Sequence, residues 1–152
     1  MIKNRKLKDW YFKNNNFKEK EIEKILDVEY AHFKVDGNDD LYITKYGLPY
    51  IDFLIPENYY TDKIWFKNNS IALPGTSCIY KIQTKSINDK QISIVLKWNR
   101  MGQNVPGAQF LEELEHAEFN SPFEEFSLVY DLIESSKNKF SKLKIQKPLA
   151  IY

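Results

Sequence analysis

Between Ser70 and Trp98 apolar and polar residues exchange places with a period of two. "SIAL" is followed by "SCIYKIQT", with apolar residues at 78, 80 and 82, and "QISIVLKW" sets 92, 94 and 96 against 91, 93 and 95. Period two is the signature of a strand with one face inward, and "SINDK" between the second and third runs is turn chemistry. The pattern predicts an antiparallel meander whose third strand ends at Lys97, directly after its apolar run, with Gly102 and Pro106 closing the element.

Elsewhere the spacing is helical. In "KEKEIEKILDVEY" Ile22, Ile25 and Leu26 recur among charges, which predicts a helix over 18–28, and 4–12 reads as a helix before it. "AQFLEELEHAEF" reads as a short acidic helix. "NSPFEEFSLVYDLIESS" is one of the clearest helix signals: Ser121 as N-cap, Pro122 at the first helical position, Glu124 three residues after the cap, and a stripe of Phe123, Phe126, Val129, Tyr130 and Ile133. "VDGNDD" is a turn, and Gly47, Pro49 and Pro56 break the stretch after it, so no long element is expected there. The last residues, "KNKFSKLKIQKPLAIY", read as a loop and a closing strand or pair of strands.

These elements predict an α+β fold: a twisted antiparallel sheet of about five strands with one main helix, over residues 66–152, preceded by a small helical and irregular segment, 1–65, packed on it. The 152-residue chain, 43% hydrophobic, 28% charged and 15% aromatic, has the composition of a folded globular protein. A net charge of +1 gives no overall drive toward nucleic acid or an anionic membrane, although acids crowd residues 112–134 and lysines follow them. The basic N-terminal stretch with Lys3, Arg5, Lys6 and Lys8 has no accompanying recognition motif, and nucleic acid is not expected as a partner.

A single cysteine, Cys78, allows no internal disulfide, and its place in the alternation predicts a small buried hydrophobe. His32 and His116 form no zinc spacing or triad pattern with it, so both are assigned structural or surface positions and no metal site is expected. No apolar run is long enough to cross a bilayer, and no apolar stretch follows the charged N-terminus as in a secretory signal; the expected location is the cytoplasm.

The order of strand, glycine turn, strand, hairpin, strand ending in lysine, helix and strand resembles the N-terminal lobe of the protein-kinase fold. Ile82 lies seven residues after Gly75 and Lys97 twenty-two after it, the separations kinases keep between the first glycine of the phosphate loop, the residue closing the loop and the ATP-contacting lysine. Downstream, "FEEFSLVYDLIESSKNKFSKLKIQKPLAIY" is similar to the helix and following strand of RIO-type and aminoglycoside-phosphotransferase-like kinases. The resemblance implies that Glu125, with Glu124 as the alternative, pairs with Lys97. It further implies that Gly75, Thr76, Ser77, Ile82, Lys97 and Glu125 face a nucleotide, Mg-bound ATP, and that Leu149–Tyr152 leads toward a hinge. The loop has one glycine, with Ser77 and Tyr80 at the family's other glycine positions.

No catalytic-loop aspartate and no metal-binding aspartate precede Tyr152, so no residue is assigned a catalytic role. Three function classes follow: the nucleotide-binding half of a split or truncated kinase or a pseudokinase, not catalytic alone; a non-catalytic module docking on a kinase-like or toxin-like protein partner; and a nucleic-acid-binding regulator.

Overall fold

The computed structural model describes residues 19–35, 39–75, 77–99, 120–137 and 144–152. The helices expected over 4–12 and 108–119, His116, the basic N-terminal cluster and Thr76 lie outside them. The architecture is α+β. Strands β1 (Glu19–Ile25), β2 (Val28–Lys34), β3 (Asp40–Thr44) and β7 (Ala150–Ile151) form one antiparallel sheet in that order, and β4 (Ser70–Leu73), β5 (Ile79–Gln83) and β6 (Ser93–Lys97) form a second. Helix α1 (Lys63–Asn69) leads into β4, and α2 (Pro122–Lys137) follows β6. Two sheets of four and three strands therefore replace the single sheet of about five, among the described residues.

The helix expected over 18–28 is instead a β-hairpin. Leu26 and Asp27 both adopt positive φ, 47° and 64°, and Ile25 pairs with Val28 across this two-residue turn. Such turns suit the twist of paired strands but favour Asn-Gly, because a side chain at positive φ costs roughly 1 kcal/mol. Leu26→Asn with Asp27→Gly is expected to stabilise the protein by about 1 kcal/mol, read as a higher denaturation midpoint. The "SINDK" turn has the same form, with Asn88 and Asp89 at positive φ between the bridged Ile87 and Lys90.

β2 is buried on both faces. Ala31 and Phe33 point into a core shared with Leu41, Ile43, Ile51, Leu54, Tyr59, Ile82 and Ile94, which joins the two sheets through the 3-10 segment Leu48–Leu54. On the other face Tyr30 and Tyr42 meet Phe123 of α2 edge-on, at 5.4 and 5.1 Å, and Tyr130 packs against Tyr46. The apolar stripe of α2 thus covers the N-terminal sheet, while Leu128 and Leu132 face solvent.

The Tyr30 and Tyr130 hydroxyls are both buried, and that of Tyr30 has no hydrogen-bond partner among the described residues. Burial, helped by the neighbouring Tyr130 at Tyr30 and by Tyr46 and Glu134 at Tyr130, pushes both phenols up to about 12. A phenol held protonated by folding contributes stability that is complete below its ordinary value near 10 and lost as pH rises through about 12. Stability measured by denaturant titration is expected to fall from about pH 10 upward, and less steeply in Tyr30→Phe. A profile that stays flat there would contradict this packing.

The C-terminal segment completes the first sheet. β7 pairs with β3, placing Ala150 opposite Ile43 and Ile151 opposite Tyr42. Thr44, fully buried, donates its hydroxyl to the Pro148 carbonyl (2.6 Å) and its N–H to the Leu149 carbonyl (3.0 Å). The closing strand therefore joins the N-terminal sheet beside β3, away from the meander that carries Lys97.

Candidate functional site

The site begins at the end of β6. Ile79 lies directly across from Lys97, and Leu73 across from Ile79; the next row is Ile71, Lys81 and Val95. Residues opposite one another in an antiparallel ladder share a face, so these six side chains form the outward surface of the second sheet. Ile71 is 68% exposed and Val95 44%, high values for aliphatic side chains within strands. The inward rows contain Ile82, Ile94, Tyr80 and Leu96, which pack in or against the core.

Helix α2 brings the opposing charge. Ser121 and Glu124 form a reciprocal capping box: the Glu124 N–H donates to Ser121 Oγ (3.2 Å), and the Ser121 N–H donates to Glu124 Oε2 (2.5 Å). Glu124 is thereby occupied with its own helix end. Glu125, one residue on in the first turn, receives Lys97 Nζ on both carboxylate oxygens, at 2.6 and 2.7 Å. The start of the helix is also tied to the strand end by Asn99, whose side-chain amide donates to the Asn120 carbonyl (2.9 Å).

Gly75 lies at this edge. A Cβ placed on it would come 3.2 Å from Ile79 Cδ1, so the turn after β4 folds down onto the residue paired with Lys97. Gly75, Lys97 and Glu125 are therefore brought to one edge, with Ser77 in the same turn. Ile82 is not. It pairs with Ile94, points to the opposite face and is fully buried. Matched spacing along the chain did not translate into a shared face because the register puts Lys97 opposite Ile79, an odd number of positions from Ile82.

Ile79 was missed by sequence reasoning, although its odd position in the β5 alternation marks it as outward once the register is known. Cys78 is also corrected: it is exposed, because β5 begins one residue later and only the Cys78 carbonyl takes part in pairing, accepting from Trp98 N–H (3.0 Å). His32, expected at a structural or surface position, is buried within the first sheet.

Among the described residues no helix is long and apolar enough to cross a membrane. Comparison with protein-family models, with curated proteins and with solved structures finds no match.

Proposed function

We propose that this chain is a nucleotide-binding lobe of the protein-kinase type, in which Lys97 meets the phosphates of Mg-bound ATP and Glu125 holds the lysine in place. The observation that carries this reading is the two-pronged Lys97–Glu125 pair, which joins a strand end to the first turn of a helix across 28 residues of sequence. Its side chains are 42% and 34% exposed, and pairs so exposed contribute only about 0–1 kcal/mol to stability. Fixing a lysine's position beside an open surface is a use that such a pair serves well: lysine is a mobile point charge, and a glutamate restricts where it can go.

The residues present fit such a ligand in part. Gly75 keeps the turn close to Ile79, and Ile71, Leu73 and Val95 offer an open apolar surface beside the cation, suited to a flat heterocycle. Ile82 has no place in this set. Phosphate transfer needs an aspartate to accept the substrate proton and another to hold magnesium; on this reading both come from a second half, in a longer chain or a protein partner.

A second reading, a docking module, is favoured by Ile71, which stands two-thirds exposed on the edge strand β4. Thermal unfolding with and without Mg·ATP separates the two. Nucleotide at 100 times its dissociation constant stabilises a binding protein by ~2.7 kcal/mol. The wild type is expected to gain on that order, and Lys97→Ala to gain nothing while unfolding within ~1 kcal/mol of the wild type when no ligand is added. No gain in the wild type at millimolar nucleotide would leave the docking reading in its place.

A further inference from the structure

The outer face of the first sheet holds a charged cluster that the nucleotide reading does not use. His32, in the middle of β2, has a side chain only 7% exposed, and both of its ring nitrogens are engaged: Nδ1 is 2.6 Å from Glu23 Oε1 of β1, and Nε2 is 2.5 Å from Asp40 Oδ1 of β3. The ring stacks on Tyr42 of β3 at 4.2 Å and 14°. Lys34, two residues along β2, lies 2.7 Å from the same Asp40 oxygen, and with His32 it holds the Asp40 carboxyl below the usual carboxylate range. From α2, Phe123 packs edge-on against Tyr42 at 5.1 Å. The three acid and imidazole groups do not make a metal site; none is found among the described residues.

An ionised carboxylate only accepts hydrogen bonds, so a ring bonded to one on each side must donate from both nitrogens, which only the imidazolium can do. We propose that His32 is a pH-sensitive lock that, in its doubly protonated form, fastens the edge strand β1 and the inner strand β3 to β2. When the ring loses its second proton, one nitrogen presents a lone pair to a carboxylate at hydrogen-bond distance, and that contact turns from attraction to repulsion.

Release has a path to the rest of the molecule. The tip of the β1–β2 hairpin is tied to α2, where Ser127 Oγ donates to the Leu26 carbonyl (3.0 Å), and α2 is the helix that carries Glu125. The lock itself stands whatever ligand the Lys97 surface takes.

The test is NMR on the whole chain, following the His32 ring signals and the exchange of hydrogen-bonded amides in the β1–β2 ladder as pH rises. The amides are expected to exchange about tenfold faster, beyond the intrinsic effect of pH, once the ring has lost its second proton, the equivalent of one lost hydrogen bond. In Asp40→Asn the carboxamide N–H can donate to the neutral ring, so the loss of protection should disappear. Glu23→Gln offers the same rescue on the other nitrogen if Asp40→Asn does not fold. Protection that is constant through the His32 titration, or that falls equally in the rescuing variant, would overturn the lock.

Discussion

Gly47→Ala is expected to cost about 3 kcal/mol, the upper range for forcing extra atoms into a packed site, seen as a large drop in the denaturant midpoint. A Cβ at Gly47 would lie 2.2 Å from the Leu149 carbonyl oxygen and 2.9 Å from Ile43 Cγ2. The first is a backbone atom that also accepts the Thr44 N–H, so it cannot yield without breaking the bond that seats the C-terminal segment. The requirement is one of space, since the backbone at Gly47 is in the ordinary right-handed region, with φ −80°. An effect under about 1 kcal/mol would mean that the segment before β7 does not pass over Gly47.

Ile82→Ala is expected to cost about 3 kcal/mol as well, because it opens a cavity at a fully buried position where two sheets meet. The prediction separates two positions that the chain spacing had grouped. A residue lining an open ligand surface loses affinity on truncation and little stability; Ile82 should lose stability, and its conservative replacement Val should cost only about 1 kcal/mol. Val95→Ala, on the exposed surface, should do the opposite. A small stability effect at Ile82 would place it on the open face and reverse the register.

What the sequence made legible were the elements governed by local rules. The meander from Ser70 to Lys97 follows its alternation, and helix α2 forms with the capping box that Ser121 and Glu124 announce. The contact between Lys97 and Glu125, implied by resemblance, is present in the structure. The hairpin β1–β2 was illegible for a physical reason: its turn is Leu-Asp, with no glycine or asparagine to mark it, and Ile22, Ile25 and Leu26 mimic a helical stripe while Leu26 in fact points into solvent. β2 hides in another way. Covered by the core on one face and by α2 on the other, it shows no alternation to read.

The facing of site residues was the second thing spacing could not supply. Distances along the chain fix how far apart two strand residues are, but a one-residue change of register turns a side chain to the other side of the sheet. Ile79, Val95 and Ile71 share the Lys97 surface only because Ile79 stands opposite Lys97 and Lys81 opposite Val95. The destination of β7 likewise depends on tertiary contacts, Thr44 with Pro148 and Leu149, that no local pattern encodes.

The most direct test of the account is methyl NMR of the isoleucines, leucines and valines during titration with Mg·ATP. The account expects the largest changes at Ile71, Leu73, Ile79 and Val95, abolished in Lys97→Ala, with Ile82 and Ile94 nearly unmoved. Changes centred on Ile82 and Ile94, or none at all at saturating nucleotide, would contradict the assignment of the outward face beside Lys97 as the ligand surface.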